Sequence, residues 1–339
     1  MSLATPTVSE PSGRPVWKAA LAPYARPHIG RSLIDILTSV VPYVALSFAM
    51  YVLLDVSYWL ALLVALPAAG FLLRTYILFH DCTHGSFLPS KRANTWLGRT
   101  LGVIVFSPFS SWKHNHAVHH ATAGDLDRRG VGDIPTLTVA EYYAKDRKGR
   151  IGYRLFRNPL VMFGIGSLYA LALYPRFIPK NARRRARNSI LGTNLALVVL
   201  IGAICWLIGW QAYVLIQLPT AWLAATAGVW LFYVQHQFED TYWRDGEEWS
   251  YADAALRGSS YLKLPKVLQF FTGNIGLHHV HHLSARVPNY YLQRAHDSTP
   301  IFSDVPVLSL WDGLKATRLK LWDEGSQRLV TWKQAKQAR

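Results

Sequence analysis

Four histidines within eight residues give one segment of this chain the clearest chemical signature. Leu277–Ser284 reads L-H-H-V-H-H-L-S. On a helix that turns about 100° per residue, His278, His281 and His282 share one face. His279 points away from that face. Three neutral imidazoles on one face form a ligand set that suits iron, zinc or copper. A cluster of surface histidines is the alternative interpretation of this segment taken alone.

Three other places in the sequence repeat this concentration of histidine. Of 13 histidines, 11 lie in four places: His80 and His84; His114, His116, His119 and His120; His236; and His278, His279, His281 and His282. The spacing in H-D-C-T-H puts both of its rings on one helical face. In H-N-H-A-V-H-H, the last three histidines repeat the i, i+3, i+4 pattern and the first falls opposite. One ion cannot use so many imidazoles, so the sequence predicts a two-metal site.

Acidic residues near these histidines are candidates to hydrogen-bond the ring nitrogens that face away from a metal. They are Asp81, Asp125, Asp127, Glu239 and Asp240. Asp125 and Asp127 belong to a glycine-containing loop, which also holds Arg128, Arg129 and Asp133. Partners of this kind fix the tautomer of a ligand imidazole. The alternative is a solvated loop with ordinary surface charges.

The elements that position the histidines are predicted to be membrane helices. Hydrophobic residues make up 51% of the chain and charged residues 17%, yet the mean hydropathy is only +0.11. A few spans with a substantial polar cap explain both features. Apolar runs of about 20 residues predict spans at 33–54, 59–79, 190–208 and 212–234. We therefore expect an all-α integral membrane protein, with two helical hairpins and a helical cap that carries the histidines.

The distribution of basic residues predicts the orientation. The turns 55–58 and 209–211 contain no Lys or Arg, so all 36 basic residues lie on the other side or, like Arg74, close to it. The positive-inside rule places the histidines and both termini in the cytosol. Arg74 is expected to snorkel. The apolar stretch 101–109 is too short to span and is expected to be interfacial or re-entrant, and the stretch 158–174, of marginal length, is expected at the interface.

These predictions divide the chain into a cytosolic segment 1–32, a core 33–294 and a cytosolic tail 295–339. The formal charge of +16 does not indicate a nucleic-acid partner, because no nucleic-acid fold signature accompanies it. Attraction to anionic lipid is the interpretation we prefer. Cys82 and Cys205 are far apart, and one of them lies inside an apolar run, so no disulfide is expected.

The motifs H-D-C-T-H, H-A-V-H-H and H-H-V-H-H, set around two membrane hairpins, resemble the three histidine boxes of the membrane fatty acid desaturases. The resemblance extends over roughly residues 33–294, and H-D-C-x-H-G-S-F is most similar to the bacterial acyl-lipid omega-6 (delta-12) branch. It implies a non-haem centre of two iron ions in a bacterial inner membrane. The implied ligands are His80, His84, His116, His119, His120, His236, His278, His281 and His282.

The resemblance also implies O2 as oxidant and electrons from ferredoxin or cytochrome b5. The chain contains no H-P-G-G haem signature, so the donor is expected to be a separate protein. Some acyl-CoA members have an asparagine one turn before the ninth histidine. Here Phe232 occupies that position, and Asn274, one turn before His278, is the candidate substitute. The expected substrate is accordingly an acyl chain linked to a membrane lipid.

Two other functions fit parts of this pattern. A hydroxylase, ketolase or epoxygenase acting on a lipid or carotenoid would use the same scaffold, since the outcome depends on where the substrate carbon lies relative to the metal. A metal transporter would also need histidines. The predicted histidines lie at one surface rather than along the spans, which disfavours transport.

Overall fold

The structure is a computed structural model that describes residues 15–338, and helices dominate it. The α-helices are α1 (Val16–Leu21), α2 (Ile29–Leu53), α3 (Tyr58–His84), α4 (Lys91–Ile104), α5 (Phe109–Thr122), α6 (Val139–Ala144), α7 (Arg147–Phe156), α8 (Gly166–Leu168), α9 (Arg184–Ile208), α10 (Trp210–His236), α11 (Tyr251–Arg257), α12 (Lys266–Phe271), α13 (His278–Leu283), α14 (Asn289–Asp297), α15 (Leu310–Ala316) and α16 (Trp332–Gln337). Four short strands form two small pairs. They are β1 (Tyr261–Lys263), parallel to β2 (Val307–Ser309), and β3 (Leu321–Asp323), antiparallel to β4 (Arg328–Val330).

Within residues 15–338, the helices α2, α3, α9 and α10 are long and apolar enough to cross a membrane. They coincide with the four predicted runs, which confirms an all-α membrane fold. Two of them continue past their apolar stretches, α3 to His84 and α10 to His236. Each of these helices therefore carries its histidines on its last turns, as a rigid extension of a span.

Short turns join the long helices in pairs. Gly209 alone separates α9 from α10, and its φ of +83° is a conformation that glycine adopts without steric cost. In the first pair, Met50 near the end of α2 packs with Ala61 and Ala65 near the start of α3. At the opposite end, Asp35 of α2 meets Arg74 of α3. In these contacts the end of α2 meets the start of α3 and the start of α2 meets the second half of α3, so the two helices run antiparallel.

A glycine ends α3 directly after its second histidine. Gly85 adopts a left-handed conformation with φ of +69°, and its N–H donates to the carbonyl of Cys82. The Ser86 N–H then donates to the carbonyl of Asp81 at 3.2 Å. This is a common way of satisfying the last carbonyls of a helix. It turns the chain sharply away, so that α4 returns along α3 instead of continuing over the histidines.

The helix α13 lies deep in the cap, although it is only six residues long. All six of its residues are buried. Val280 and Leu283 pack into an apolar cluster with Leu277, Val287 and Leu292. A helix this short has little stability of its own. The apolar side chains on its far side therefore fix the direction in which its histidines point.

Arg74 does not snorkel, and this part of the sequence interpretation was wrong. Its side chain is 8% exposed and its Nη2 lies 2.7 Å from Asp35 Oδ1. The guanidinium also lies over the Phe270 ring, 4.1 Å from the centroid, and donates to the Phe270 carbonyl. Asp35 on the neighbouring helix and the Phe270 carbonyl of the cap take the place of water around the guanidinium. Both partners are distant from Arg74 in the sequence, so local sequence patterns do not indicate them.

The two apolar stretches expected at the interface both contain helical turns and a change of direction. Residues 101–104 complete α4, and the chain then turns at Phe106, whose φ is +56°. Val161–Arg176 forms a bent segment of π-helical, α-helical and 3-10 turns, which meets α7 at 58°.

The C-terminal tail packs against the rest of the protein. Trp322 in β3 is buried, and its backbone N–H donates to the Leu137 carbonyl.

The orientation of the hairpins predicts which side of the membrane each turn faces. In a variant lacking Cys82 and Cys205, a cysteine replacing Asp55 in the first turn should react with an impermeant maleimide added outside intact cells. A cysteine replacing Ser326, in the exposed β3–β4 turn, should react only after the cells are opened. Labelling in the reverse order would overturn the orientation.

Candidate metal centre

Five buried or half-buried histidines form a first group, which we call group one. Its members are His80, His84, His116, His120 and His281, and their candidate ligand atoms lie within 4.8 Å of one another. The Nε2 atoms face each other: His116 Nε2 lies 2.9 Å from His80 Nε2, and His281 Nε2 lies 2.9 Å from His120 Nε2. Three separate helices, α3, α5 and α13, supply these rings.

Four more histidines form group two beside it. Its members are His119, His236, His278 and His282, with the same 4.8 Å limit between candidate ligand atoms. The Nε2 atom of His236 lies 3.0 Å from that of His278, and His119 Nε2 lies 3.3 Å from His282 Nε2. The two groups adjoin each other, because the rings of His120 and His282 stack at a centroid distance of 4.2 Å.

Each predicted histidine triplet is divided between the two groups. In α5, the i and i+4 histidines belong to group one, and the i+3 histidine, His119, belongs to group two. In α13 the pattern is reversed: His278 and His282 belong to group two, and His281 belongs to group one. The expectation that three rings of one face converge on one point was therefore too simple. Rings at i and i+4 differ by about 40° around a helix, whereas i+3 lies on the other side of i.

Hydrogen bonds fix the orientation of three of these imidazoles. His80 Nδ1 lies 3.2 Å from Asp81 Oδ1, and His236 Nδ1 lies 3.0 Å from the Gly258 carbonyl oxygen. His119 Nδ1 bonds Asp133. Carboxylate and carbonyl oxygens only accept, so Nδ1 carries the proton and Nε2 keeps its lone pair toward the group. This is the arrangement in which an imidazole binds a metal with its far nitrogen held in place.

Burial keeps the rings of the cap neutral. It lowers the pKa of His116, His120, His278, His281 and His282 well below the usual value, and neighbouring imidazoles lower it further. Metal ligation needs the neutral ring. These histidines therefore stay neutral, and able to bind a metal, at pH values at which an exposed imidazole is already protonated.

The residues fit a pair of transition-metal ions. His84 Nε2 is buried, faces the other rings of group one, and has no hydrogen-bond partner in the described part of the chain. A buried nitrogen without a partner is costly, and a bound cation satisfies it. Imidazole nitrogens favour iron, zinc and copper. Nine rings in two adjoining groups are a ligand set for two such ions rather than for one.

Four of the acids predicted to hold the ligand imidazoles, and Asn274, make other contacts. Asp125 accepts from the Asp127 N–H at 2.9 Å and pairs with Arg128, so it shapes its own loop. Asp127 accepts from the Gly246 N–H at 2.9 Å. Glu239 and Asp240 lie at the surface, where both pair with Arg328. The Asn274 amide donates to the Asn289 carbonyl at 3.4 Å. The expectation for Asp125, Asp127, Glu239 and Asp240 is therefore corrected: among the acids named from the sequence, Asp81 and Asp133 are the ones that contact a group histidine.

Besides Asp81, two residues hydrogen-bond group histidines, and they differ in how well the sequence indicates them. Asp133 belongs to the same loop as Asp125, and only the path of that loop shows which aspartate reaches His119. Gly258 uses its backbone carbonyl, which leaves no signal in the sequence. Trp112 also went unnoticed, although its ring lies 4.3 Å from that of His116 and 5.6 Å from that of His80.

His114 and His279 lie outside both groups, as the helical-face argument expects. His114 is exposed. His279 is buried on the opposite side of α13, where its Nε2 lies 2.9 Å from His296 Nδ1 and its ring packs against Phe302. Burial lowers the pKa of His279 to about 3, so it stays neutral as part of the apolar core.

Fold and site together define a membrane-spanning oxidoreductase with a histidine-rich centre at one end of its spans. The sequence model of the fatty acid desaturases matches residues 57–304, and the chain belongs to the fatty acid desaturase family. It is a desaturase enzyme. A protein of Bacillus subtilis named fatty acid desaturase is 47% identical over 316 residues, which cover 93% of this chain and 90% of that protein.

Two relatives from Synechocystis have more specific names and lower similarity. An sn-1 oleoyl-lipid 12-desaturase is 26% identical over 239 residues, covering 66% of this chain and 63% of that protein. An sn-1 acyl-lipid omega-3 desaturase (ferredoxin) is 26% identical over 250 residues, covering 68% and 67%. These two names differ in the position of the double bond, so they do not assign one to this chain.

The histidine groups predict how single substitutions change metal content. His80→Ala and His236→Ala should each lower the iron bound per protein and abolish product formation, because each removes a converging ring. His114→Ala and His279→Gln should keep the bound metal and product formation. Glutamine is chosen at position 279 because it can still hydrogen-bond His296. Iron is measured on purified variants by emission spectrometry. Retention of two irons by His236→Ala, together with a loss in His279→Gln, would contradict the division into groups.

Proposed function

We propose that this enzyme introduces a cis double bond into a lipid-linked acyl chain, at the delta-12 (omega-6) position, with O2 and electrons from a separate protein. The nine histidines of groups one and two would hold two iron ions. The observation that carries the proposal is the pair of adjoining all-histidine groups at the C-terminal ends of α3 and α10. Two iron ions, once bound, supply the reducing equivalents that cleave O2 and allow hydrogen to be removed from an unactivated methylene.

An apolar cavity beneath the histidines supports an acyl substrate. It lies between α3, α10, the bent segment Val161–Arg176 and the turn after α4. Its lining is Leu72, Leu73, Tyr76, Val105, Phe106, Leu168, Leu171, Ala172, Ala221, Ala224, Ala225 and Gly228. Leu72 and Gly228 each precede a histidine of the same helix by eight residues, which is about 12 Å along the axis. The cavity therefore lies among apolar turns of the spans, about two helical turns from the histidines.

One aromatic layer separates this cavity from group one. The rings of Tyr76 and Trp112 meet edge to face at 5.9 Å, and Trp112 in turn contacts His80 and His116. An acyl chain in the cavity would reach the centre past these two rings. Their apolar faces exclude water from the path, which protects the reaction from side products.

A basic surface beside group one suits an acidic electron donor of the ferredoxin or cytochrome b5 type. Lys113 of α5 lies near His84, and burial together with the charges of Arg185 and Lys91 lowers the pKa of Lys113. Three helices thus bring basic side chains to one place. Opposite charge on the donor would speed its encounter with this surface. We place this surface and both termini in the cytosol of a bacterial inner-membrane protein.

Product analysis tests the reaction. In a bacterial host that lacks polyunsaturated lipids, the wild-type enzyme should convert oleoyl chains of membrane lipid to a diene, whereas His80→Ala should not. Fatty acid methyl esters are measured by gas chromatography with mass spectrometry. A hydroxylated main product would favour the alternative hydroxylase. A single double bond placed in a saturated chain would keep the desaturase and overturn the delta-12 assignment.

The cavity predicts a change in chain-length preference. A Cβ on Gly228 would lie 3.5 Å from Leu73 Cδ1 and 3.7 Å from Leu171 Cδ1, so alanine fits, whereas leucine should fill the space. Gly228→Leu should therefore shift products toward shorter chains. Gly202→Leu is the matched control, because a side chain at this glycine of α9 meets nothing within 4 Å. Identical chain-length profiles for Gly228→Leu and wild type would show that the cavity does not hold the acyl chain.

A further inference from the structure

Two short helices of the cap carry apolar side chains on their outer faces. Val267 of α12 is 66% exposed, and Trp311 of α15 is 64% exposed. The other large apolar residues exposed on these helices and on β2 are Leu268, Phe270, Val307, Leu310 and Leu314. None of the seven belongs to a histidine group or lines the apolar cavity. We call these seven residues the α12–α15 surface, because exposed apolar residues gathered in one place indicate an interaction site.

The β1–β2 pair places the two helices next to each other. Its strands are parallel, with Tyr261 opposite Val307, so the chain leaves both strands at the same end of the pair. Residues 264–265 join β1 to α12, and α15 follows β2 directly. A Cβ on Gly313 of α15 would lie 3.5 Å from Leu262 Cδ1, so α15 packs against the strand that leads into α12. The exposed apolar residues therefore belong to one region of the molecule.

The helix α12 lies against α3 within a candidate membrane span. A Cβ on Gly70 of α3 would lie 2.6 Å from Phe271 Cδ1, and the Phe271 ring meets the Phe71 ring edge to face at 5.1 Å. Gly70 belongs to the span Tyr58–His84. It precedes His80 by ten residues, which is about 15 Å along the helix. The helix α12 therefore lies on the membrane side of group one.

The helix α15 lies at a similar level beside α10. A Cβ on Gly313 would lie 2.9 Å from Trp230 Cζ2, so α15 packs directly on this tryptophan. Trp230 precedes His236 by six residues, which is about 9 Å along the axis. The apolar residues of α15 are therefore level with apolar turns of a span. Water at this position would leave seven large apolar side chains hydrated, whereas a bilayer covers them favourably.

Basic residues border the α12–α15 surface. Residues 261–271 and 307–318 contain four basic residues and one acidic residue. The four basic residues are exposed, and they are Lys263, Lys266, Lys315 and Arg318. The acid, Asp312, is engaged at the start of α15, where it accepts from the Ser309 N–H and lies 3.6 Å from Lys315. An apolar face bordered by cations is typical of segments that lie in a membrane interface and attract anionic head groups.

We propose that the α12–α15 surface is inserted into the leaflet nearest the histidine groups and binds anionic phospholipid there. The apolar side chains of both helices enter the acyl region, and Lys263, Lys266 and Lys315 contact lipid phosphates. This contact fixes the cap to the bilayer at a place outside the four spans. Part of the segment 295–339, which the sequence places in the cytosol, therefore lies on the membrane. The inference does not depend on the metal centre.

Fluorescence quenching by brominated lipid tests the insertion. In a variant that lacks Cys82 and Cys205, a single cysteine replaces Trp311 or Val267 and carries a nitrobenzoxadiazole label. The purified proteins are placed in nanodiscs whose lipids are brominated in the upper part of the acyl chain. Both labels should lose most of their emission relative to nanodiscs of unbrominated lipid. Labels that keep their emission would overturn the proposal, and cross-linking of unlabelled Trp311→Cys copies would then assign the surface to a second copy of this chain.

Two further label positions calibrate the depth. Leu195→Cys, on the exposed side of α9, should be quenched. Ser326→Cys, in the exposed β3–β4 turn, should keep its emission, because Arg328 of the same hairpin pairs with Glu239 and Asp240 beyond the end of α10. Equal quenching at position 326 and on α15 would also contradict the proposal, because the α12–α15 surface would then be no deeper than an exposed turn.

The head-group preference is tested by brominating one lipid at a time. At the same fraction of brominated lipid, brominated phosphatidylglycerol should quench the label on α15 more than brominated phosphatidylcholine does, because the lysines enrich anionic lipid beside them. In Lys263→Gln/Lys266→Gln/Lys315→Gln, the two lipids should quench that label equally. Equal quenching in the protein that keeps its lysines would overturn the assignment to anionic lipid.

Discussion

Nine imidazoles bring their ring nitrogens together in two groups whose members are buried or half-buried. Within each group the candidate ligand atoms lie within 4.8 Å of one another, and among the described residues the groups contain no acidic member. Lone pairs that face each other at such distances repel, and burial opposes the protons that would separate them. Bound cations remove this repulsion. The positions of the surrounding helices follow from that requirement, because four of them must bring histidines to the same level.

Long and short helices meet this requirement in different ways. The spans α3 and α10 carry His80, His84 and His236 on their last turns, so those rings are as rigid as the membrane helices behind them. The cap helix α13 has only six residues and depends on apolar packing on its far side. The membrane spans therefore hold three of the nine rings, and the shorter helices α5 and α13 hold the other six.

Local periodicity was enough to predict the spans, the shared helical faces and the exclusion of His114 and His279. It could not predict the division of each triplet between two groups, since that depends on how α5 and α13 lie relative to each other. Pairs of residues that are distant in the sequence could not be predicted from periodicity either. Arg74 meets Asp35 across a hairpin, and Asp133 was one of several acids in a loop whose path only the fold determines. The sequence thus predicts which residue types gather, and packing decides which of them touch.

The reversed division of the two triplets has a mechanical consequence. Because α5 gives two rings to group one and one to group two, and α13 does the opposite, a shift of either helix changes both groups. The two groups are therefore coupled through the backbone of the cap. The groups nevertheless differ in access, since His119 and His236 of group two also line a cleft with Asp133, Thr241 and Tyr242. Group one has five rings and lies above the apolar cavity, whereas group two has four and adjoins this more polar cleft. The centre thus adjoins an apolar cavity between its spans and, beside group two, a more polar cleft.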